Sequence, residues 1–483
     1  MGTYDYDLIV IGGGGAGMVS ANLAAGLGKK VAMVEKRQLG GECTFYGCVP
    51  SKTLIKVANT VHHARELLEK TGHGNGASVF REIGSSVMER VRSVRQKVYE
   101  GERPEVFEKR GINVHFGDAT FVDNHQITIN GKKLTAAHFV LATGSRAFVP
   151  PIDGIDGVPY LTNENLFDLE RLPASMIVLG GGPIGTELAQ ALTRLGVQVT
   201  VVEMLDQILI REDVELRDIF ARRLAGEGTK ILTKTKAVRL GQENGKIALV
   251  VEDQAKNQGQ VVADTVLVAL GRKANVEGLQ LENAGVTYTP KGIKTDETLR
   301  TTASNIYACG DVVGPYQFSH MAEYQARIAT RNALLPLAKR VDYTHYIWCM
   351  FTDPELAHTG LTEEEAREQY GDGIKVYRWE YKATDRGRTD GEEVGLSKII
   401  CDGKFRIVGA HILGSRAGDV IHEIQAAKTL GLPLYKLDSV IHIYPTFSDV
   451  IKQPAKLAYI DWLRSRFYVR LASMFLGRNK AQG

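Results

Sequence analysis

Short apolar runs that end close to glycine recur along the chain and predict strands. The first run, YDLIVI, covers 6–11, and a second, VAMV, covers 31–34. Both contain β-branched residues, which favour strands. The segment 15–28 between them is dominated by small and apolar residues and predicts a helix. The pattern therefore predicts a strand–helix–strand unit near the start of the chain.

The same unit recurs further along the chain. Its two predicted strands and its predicted helix lie at 177–179, 199–202 and 183–196. In each copy a glycine-rich turn follows the first strand and an acidic residue ends the second. Gly12 precedes Glu35 by 23 positions, and Gly180 precedes Glu203 by the same number. Two copies in the same register are far more specific than a single glycine-rich turn.

These turns carry the fingerprint of a dinucleotide-binding site. In the first turn, GGGGAG, Gly12 permits a tight bend, Gly14 lets a pyrophosphate approach the backbone, and Gly17 allows close helix–strand packing. The corresponding glycines of the second turn, GGGPIG, are Gly180, Gly182 and Gly185. Glu35 and Glu203 are expected to accept hydrogen bonds from ribose hydroxyls. Two such sites imply electron transfer between two carriers, usually a flavin and a nicotinamide.

Three later apolar runs continue the two units. The runs at 139–144 and 266–271 each end on glycine, whereas the run at 305–311 ends on Asp311. The Asp311 carboxylate is suited either to bind a sugar-alcohol chain or to cap the next helix. This segment alone favours neither role.

Two cysteines follow the first unit, in the segment GGECTFYGCVPSK at 40–52. In a regular helix Cys43 and Cys48 would lie about 7.5 Å apart along the axis, beyond the roughly 4.4–6.8 Å between the Cα atoms of a disulfide. A bridge therefore requires an irregular helix start, which Gly47 permits. Metal ligation and inert burial are the alternatives, but no second cysteine or histidine pair of suitable spacing lies nearby, and a helix start lowers the pKa of a thiol. The cysteines predicted to be core thiols are Cys309, Cys349 and Cys401.

Composition narrows the class of protein. The 483 residues suggest about three domains, and the 44% hydrophobic content is ordinary for folded cores. A net charge of +3 argues against a dedicated nucleic-acid binder. Five cysteines are too few for a disulfide scaffold. Neither a signal peptide nor an apolar run of about 18 residues is apparent, so a cytoplasmic protein is expected.

The chain resembles the flavoprotein disulfide reductases, the class I pyridine nucleotide-disulfide oxidoreductases that include dihydrolipoamide dehydrogenase, glutathione reductase and mercuric reductase. The resemblance rests on the motif GxCxxxxCVPSK at 41–52, the two glycine turns and the ACGD run at 308–311. It implies an α/β fold with two Rossmann-like domains and an α+β C-terminal dimerisation domain. The implied divisions are an FAD-binding domain at 1–150 and 286–335, an NAD-binding domain at 151–285, a dimerisation domain at 336–455 and a basic amphipathic helix at 456–483.

The resemblance also implies roles for single residues. Cys48 would be the thiolate in charge transfer with the flavin, and Cys43 the thiol that attacks the acceptor. Lys52 would lie near flavin N5 and pair with Glu187, with His320 near the flavin ring. Further residues expected to bind the two cofactors are Gly15, Ala16, Gly41, Gly117, Ala119, Thr143, Gly144, Ile184, Gly271, Gly310 and Asp311.

The residue after the second unit bears on the choice of nicotinamide cofactor. Met204 follows Glu203, whereas NADP-selective members carry arginines there for the 2′-phosphate. A carboxylate would accept a hydrogen bond from the ribose of NADH and repel that phosphate. NADH is therefore expected in preference to NADPH.

The C-terminal motif departs from part of the family. Dihydrolipoamide dehydrogenase and glutathione reductase offer a histidine, backed by a glutamate, to the active site of the partner subunit. Here Tyr444 occupies the histidine position and Asp449 the glutamate position. Tyrosine has a reference pKa near 10 and is a poor proton shuttle at neutral pH. His442 is the alternative acid–base group. In having a tyrosine at this position, the chain is similar to mercuric reductases.

The last segment predicts an amphipathic helix. Its apolar positions are Leu457, Ile460, Leu463, Phe467, Leu471 and Met474. From Lys456 onward it carries six basic residues and one acid. The helix is expected to pack on its own dimer, with an anionic membrane surface or a protein partner as alternatives.

Three functions remain open at this point. In the first, electrons pass between NADH, FAD and the Cys43–Cys48 disulfide to a disulfide, a dithiol or a metal ion, as in dihydrolipoamide dehydrogenase or mercuric reductase. The second is a diaphorase or quinone reductase that uses the flavin directly, with the C-terminal helix at a membrane. The third is a non-catalytic FAD- and NAD-binding protein, which both cysteines and Lys52 argue against because a binding module needs neither.

Overall fold

The structure is a computed structural model that describes residues 4–74 and 77–467, apart from the side chains of 77–85. Its contacts divide the chain into two compact units. Unit 1 comprises Met1–Asp206 and Gly228–Asp342, and unit 2 comprises Gln207–Glu227 and Tyr343–Gly483.

Strands β1 to β19 lie in unit 1, and β20 to β24 lie in unit 2. In chain order the strands are β1 (Tyr6–Ile11), β2 (Val31–Glu35), β3 (Ile112–Phe116), β4 (Ala119–Phe121), β5 (Gln126–Ile129), β6 (Lys132–Leu141), β7 (Ser145–Ala147), β8 (Tyr160–Leu161), β9 (Ser175–Leu179), β10 (Gln198–Val202), β11 (Lys230–Leu232), β12 (Thr235–Glu243), β13 (Lys246–Asp253), β14 (Gln258–Ala263), β15 (Thr265–Val268), β16 (Arg272–Ala274), β17 (Tyr288–Thr289), β18 (Gly292–Ile293), β19 (Ile306–Ala308), β20 (Ile347–Met350), β21 (Glu355–Gly360), β22 (Lys375–Glu380), β23 (Leu396–Cys401) and β24 (Ile407–Gly414).

The helices follow the same division, with α8 and α10 to α13 in unit 2. In chain order they are α1 (Gly15–Gly26), α2 (Gly41–Phe45), α3 (Cys48–Lys70), α4 (Ala77–Tyr99), α5 (Pro104–Glu108), α6 (Asn163–Leu166), α7 (Pro183–Arg194), α8 (Val214–Gly226), α9 (Ser319–Leu334), α10 (Glu363–Tyr370), α11 (Asp385–Asp390), α12 (Ala417–Thr429) and α13 (Asp449–Ser465).

Unit 1 contains two largely separate Rossmann-like sheets. The first has the order β3-β2-β1-β6-β5-β4, with β19 beside β6, and β1 pairs in parallel with both β2 and β6. The second has the order β11-β10-β9-β15-β8, and β9 pairs in parallel with β10 and β15. In each sheet the strand order reverses beside the first strand of the unit. Ligands of such sheets bind at the carboxyl ends of the strands at this reversal, and both glycine turns lie there.

Both predicted strand–helix–strand units are confirmed. The first is β1, α1 and β2, and the second is β9, α7 and β10. Each helix ends two residues before its predicted end. The three later runs also form strands, within β6, β15 and β19. The α/β fold with two Rossmann-like units, which the resemblance implies, is therefore correct.

Helices α3 and α7 pack against each other and so bring the cysteine segment beside the second glycine helix. The guanidinium of Arg65 donates a 2.8 Å hydrogen bond to the carbonyl oxygen of Arg194, and the Arg194 guanidinium donates one of 2.8 Å to the Asn59 side chain. Arg194 is 2% exposed. This buried contact between the helices places Lys52, one turn into α3, next to α7.

Unit 2 is built on one antiparallel sheet with the order β20-β21-β24-β23-β22. Buried residues of α12 and α13 pack on it, among them Ile421, Ile424, Val450 and Ile451. The segment 207–227, which contains α8, groups with this unit, although it falls inside the NAD-binding domain predicted at 151–285. A buried ion pair explains this grouping, because the Asp213 carboxylate of this segment lies 2.9 Å from Lys398 Nζ of β23. The other predicted domain limits remain predictions.

The predicted C-terminal helix is only partly described. Helix α13 begins at Asp449 and continues through position 456 to Ser465, so the amphipathic pattern does not mark the start of a separate helix. Leu471 and Met474 lie outside the described residues. Among the helices that the structure describes, none is both long and apolar enough to cross a membrane.

Candidate active site

The first glycine turn forms a bare backbone cradle at the carboxyl end of β1. Gly12 has a φ of +112°, and a Cβ at this position would collide with the carbonyl oxygen of Ala142. Gly41, with a φ of +58°, lies so close to Gly14 that its Cβ would be 2.7 Å from the Gly14 Cα. Gly14 is the N-cap of α1 and offers no side-chain cap. Open amides beside bare backbone fit a pyrophosphate.

The second glycine turn repeats this arrangement. A Cβ added to Gly185 would collide with the carbonyl oxygen of Gly180, as one at Gly17 would with that of Gly12. Gly182 is the N-cap of α7, and a Cβ there would meet no described heavy atom within 4 Å. The space in front of this turn is therefore open to a second phosphate-bearing ligand.

The two acidic residues are held in the same way in both units. Glu35 accepts backbone N–H hydrogen bonds from Gly13 at 2.7 Å and from Arg37 at 2.8 Å. Glu203 accepts the equivalent bonds from Gly181 at 2.7 Å and from Leu205 at 2.8 Å. Each carboxylate is thus fixed at the end of its strand beside the glycine turn. This is the position expected for ribose recognition.

The two cysteines lie at a break between two helices. Helix α2 ends at Phe45, and α3 begins at Cys48 after the N-cap Gly47. A Cβ at Gly47 would lie 3.3 Å from the Cα of Cys43, so the chain folds back tightly here. The predicted irregular start is confirmed. Cys43 and Cys48 are free thiols joined by a hydrogen bond, which is the reduced form of the pair.

The two thiols differ in acidity. The hydrogen bond from Cys43 lowers the pKa of Cys48 to about 6, and the charge of Lys52 adds to this effect against partial desolvation. The same hydrogen bond and burial raise the pKa of Cys43. Cys48 is also the more exposed of the two. At neutral pH the pair therefore holds one thiolate, on Cys48, and one thiol, on Cys43.

An ion pair links the cysteine helix to the second glycine helix. The Lys52 Nζ lies 2.8 Å from an Oε of Glu187, whose side chain is 8% exposed. The Lys52 charge lowers the pKa of Cys48, whereas the Glu187 charge raises it. The pairing predicted for these residues is thus present, and the two charges act on the thiolate in opposite directions.

Other predicted residues lie in the same unit. Asp311 accepts a 2.6 Å hydrogen bond from Ser145 and does not cap α9, whose N-cap is Phe318, so the capping alternative is wrong. The Thr143 hydroxyl donates to the carbonyl oxygen of Asn275 at 2.7 Å. His320 stacks on Phe318 with ring centroids 5.6 Å apart. The remaining predicted positions lie in the first turn of a glycine helix or in and beside the turns that follow strands. In the helices they are Gly15, Ala16 and Ile184, and elsewhere they are Gly117, Ala119, Gly144, Gly271 and Gly310.

Three polar residues near the cysteines were missed by sequence reasoning. The Ser319 hydroxyl lies 3.6 Å from the Cys48 sulfur. Arg272 forms a bidentate ion pair with Glu42, next to Cys43, and its Nε lies 3.4 Å from Asp311. Ser319 lies 271 positions from Cys48, and Arg272 lies 230 from Glu42. Only the position of Glu42 inside the cysteine motif gave any signal.

The C-terminal motif lies in unit 2. The Tyr444 hydroxyl donates a 2.7 Å hydrogen bond to Asp385, which raises the pKa of Tyr444. The ring nitrogens of His442 lie 2.9 Å from the carbonyl oxygen of Val440 and 2.8 Å from a carboxylate oxygen of Glu423. Asp449 is buried in the first turn of α13. Both candidate acid–base side chains are thus engaged within their own unit.

Two family models match the chain. The model described as pyridine nucleotide-disulphide oxidoreductase matches residues 6–326, and the model of the dimerisation domain of these enzymes matches 346–455. The chain belongs to the pyridine nucleotide-disulphide oxidoreductase family. As a member, it is an FAD-dependent oxidoreductase that acts on sulfur groups, uses NAD(P) and carries a C-terminal dimerisation domain.

Similar members of the family differ in their activities. A mercuric reductase of Bacillus cereus is 33% identical, over 93% of this chain and 71% of that protein. A dihydrolipoyl dehydrogenase of Bacillus subtilis is 34% identical, over 94% of this chain and 98% of that protein. The solved structure of the HOCl-induced flavoprotein disulfide reductase RclA from Escherichia coli matches with a TM-score of 0.82 and 30% identity, over 94% of this chain and 100% of that one. The Cu(II) complex of RclA matches with a TM-score of 0.81 and 29% identity, over 95% and 100% of the two chains.

The opposite effects of Lys52 and Glu187 give a prediction for this oxidoreductase. Lys52→Met should raise the pKa of Cys48 by about one unit, and Glu187→Gln should lower it, because one change removes a positive charge and the other a negative one. Iodoacetamide alkylates the thiolate, which is lost as the pH falls through its pKa. The pH profile of alkylation should therefore move to higher pH in Lys52→Met and to lower pH in Glu187→Gln. Lys52→Arg, which keeps the charge, is the control. Shifts of the same sign in both variants would contradict this electrostatic account.

Proposed function

We propose that this enzyme uses NADH to reduce a metal ion that binds thiolates, of the class of Cu(II) and Hg(II), through the Cys43–Cys48 pair. The observation that carries the proposal is the combination of a Cys48 thiolate near neutral pH with a tyrosine at the usual histidine position. A lipoamide or glutathione acceptor would use the same cysteines but would place a different demand on proton transfer.

The difference lies in the leaving group. When the Cys43 sulfur attacks a disulfide, the acceptor's S–S bond breaks and the departing thiolate takes up a proton, for which a histidine is the usual donor. Tyr444, hydrogen-bonded to Asp385, has a raised pKa and is a poor substitute. A metal ion bound by the Cys48 thiolate and by Cys43 needs no such donor: Cys43 releases its proton to solvent as it binds the ion, and reduction of the ion then adds electrons without protonating a leaving group. The residues of this chain therefore suit a metal ion better.

The electron count is balanced for such an acceptor. Bound FAD would pass two electrons from NADH to the cysteine pair. Oxidation of one NADH to NAD⁺ and a proton then reduces two Cu(II) to two Cu(I), or one Hg(II) to Hg(0). The chain's own part is to hold the Cys48 thiolate, with Lys52 lowering its pKa, and to present Cys43 as the second sulfur. Two relatives, the mercuric reductase of Bacillus cereus and RclA, whose structure has been solved in complex with Cu(II), support an acceptor of this kind.

The test is anaerobic NADH oxidation with one acceptor at a time. Cu(II) and Hg(II) are expected to give turnover well above that of lipoamide, glutathione disulfide and a quinone, with Cu(I) trapped by a specific chelator. Equal or faster turnover of lipoamide would refute the proposal. Comparison of NADH with NADPH in the same assay gives the cofactor preference.

We also propose NADH rather than NADPH as the reductant. The Glu203 carboxylate is fixed by two backbone N–H groups at the end of β10, and the next residue, Met204, is 63% exposed and carries no charge. A fixed carboxylate suits two ribose hydroxyls and repels a 2′-phosphate.

Replacing this carboxylate should shift the preference. Glu203→Ala is expected to lower the ratio of kcat/KM for NADH over that for NADPH by roughly tenfold, because it removes both the ribose acceptor and the repulsion. Glu35→Ala provides the matched control in the other unit, where the change should affect FAD retention and leave the NADH to NADPH ratio unchanged. An unchanged ratio in Glu203→Ala would assign the selectivity to other residues.

We also propose that the protein is a cytoplasmic homodimer. Ile441 and Ile443 are 98% and 81% exposed in the single chain, which supports burial of the Tyr444 segment against the partner subunit's active site. The Tyr377 hydroxyl donates a 3.1 Å hydrogen bond to Asp461 of α13, so this helix packs on its own unit, which favours dimer packing over a membrane contact. The buried free thiols Cys309 and Cys401 are compatible with a reducing cytoplasm.

A further inference from the structure

A cluster of two histidines and a glutamate lies inside unit 2, and the disulfide chemistry does not use it. His358 of β21 and His411 of β24 are directly opposite each other in adjacent antiparallel strands, with ring centroids 4.4 Å apart. Glu212, from the segment before α8, lies 3.0 Å from the His358 ring. The three residues are 2%, 0% and 4% exposed in the order His358, His411 and Glu212. One ligand atom from each lies within 4.8 Å of the other two.

The hydrogen bonds of the two rings fix which nitrogens face the cluster. His358 Nε2 lies 2.8 Å from the carbonyl oxygen of Gly360, and His411 Nε2 lies 3.0 Å from that of Leu361. A carbonyl oxygen only accepts, so both Nε2 atoms carry hydrogen. Metal-binding histidines are commonly oriented in this way, with the second ring N–H donated to a backbone carbonyl. Both Nδ1 atoms are therefore left available as ligands, and that of His358 lies 3.0 Å from Glu212.

His411 supplies an unsatisfied group at this point. Its Nδ1 is buried and has no hydrogen-bond partner among the described residues. Because its Nε2 donates to the carbonyl oxygen of Leu361, the Nδ1 of the neutral ring carries a lone pair and no hydrogen. A buried imidazole nitrogen without a partner, in one cluster with a buried carboxylate, offers a cation two ligands.

The charges around the cluster also favour a cation. One oxygen of Glu212 accepts a 2.7 Å hydrogen bond from Trp348 Nε1, and the other lies 3.0 Å from His358 Nδ1. The nearby Lys398 Nζ is already balanced, with Asp213 at 2.9 Å and Glu363 at 2.8 Å. Among these residues, Glu212 thus has no permanently charged cation as a partner. A buried carboxylate needs such compensation, from either a proton on His358 or a metal ion.

We propose that Glu212, His358 and His411 form a second metal site, which takes Zn²⁺ or a divalent ion of similar ligand preference. Two imidazole nitrogens and one carboxylate are a common ligand set for zinc, with distances of about 2.0–2.2 Å and a fourth position for water. The ion would tie the segment before α8 to the sheet of unit 2. It would act as a structural clamp, separate from any metal ion reduced at the cysteines.

The test measures zinc binding directly in the FAD-loaded protein. Cys43→Ser and Cys48→Ser are introduced first, so that the active-site thiols bind no zinc. After treatment with EDTA, calorimetric titration with Zn²⁺ and metal analysis should give about one ion per chain, and zinc should raise Tm. His411→Gln should abolish both effects, whereas His422→Gln, an exposed histidine of the same unit, should retain them.

Each outcome decides between a metal and a proton as the counter-charge of Glu212. If the parent binds no zinc, or if His411→Gln binds it as tightly as the parent does, the site is a proton-bridged Glu212–His358 pair and the proposal fails. Circular dichroism of the zinc-free variant checks its fold. If His411→Gln does not fold, Co²⁺ added to the folded parent gives the answer, since strong d–d absorption indicates tetrahedral nitrogen and oxygen ligands and its absence refutes the site.

Discussion

Cys48→Ser is expected to reduce NADH-dependent turnover of metal-ion and disulfide acceptors by about 10³-fold or more. The thiolate on Cys48 is half of the redox pair, and serine can neither form a disulfide with Cys43 nor ionise near pH 6. Lys52 and Cys43 would remain in place, so the loss would come from the sulfur itself. Steady-state NADH oxidation with Cu(II) or a disulfide measures this effect.

Two controls separate the cysteine mechanism from direct use of the flavin. Cys349→Ser changes a half-buried thiol of unit 2 and should leave turnover almost unchanged. Reduction of a quinone by NADH, which does not require the cysteines, should persist in Cys48→Ser. If reduction of Cu(II) and disulfides also persisted in Cys48→Ser, the enzyme would be a diaphorase that reduces its acceptors from the flavin.

Local sequence signals predicted the nucleotide-binding half of this protein well. Each Rossmann-like unit is a contiguous segment in which strand, glycine turn, helix and acidic residue follow one another, so periodicity and spacing contain the whole arrangement. The two units also agree in a detail that the motif does not include. Glu35 and Glu203 accept backbone N–H hydrogen bonds from equivalent positions. The irregular helix start at Gly47 followed from the five-residue spacing of the cysteines.

Of the contacts between distant segments at the site, the resemblance implied the Lys52–Glu187 pair, but others were not predicted. Ser319 lies 271 positions from Cys48, and Arg272 lies 230 positions from Glu42. Such pairs have no periodicity that marks them in one sequence. The segment 207–227 shows the same limit, since its grouping with unit 2 depends on single buried side chains, among them Glu212 and Asp213.

The C-terminal motif shows a different limit. The sequence identifies Tyr444 at the position of the usual histidine but does not show how His442 is engaged. In the structure the His442 ring nitrogens lie at hydrogen-bond distance from Val440 and Glu423. Substitution of Tyr444 therefore tests whether this position limits proton transfer to a disulfide acceptor.

Tyr444→His is expected to increase turnover of lipoamide by about 10²-fold, the lower range for a single general acid–base group. A histidine with a pKa near 6.5 can protonate the leaving thiolate at neutral pH, which Tyr444 does poorly because Asp385 raises its pKa. Reduction of Cu(II) should change little, since it needs no proton at this point. The measurement is the ratio of lipoamide to Cu(II) turnover in the variant and in the parent.

Tyr444→Phe is the matched control, because it removes the hydroxyl and its bond to Asp385 without adding an acid–base group. It should leave lipoamide turnover as low as in the parent. A gain in Tyr444→Phe equal to that in Tyr444→His would mean that the change acts by releasing the segment from Asp385 rather than by proton transfer. No gain in either variant would show that this position does not limit disulfide turnover, and His442→Gln would then test whether His442 already supplies the proton.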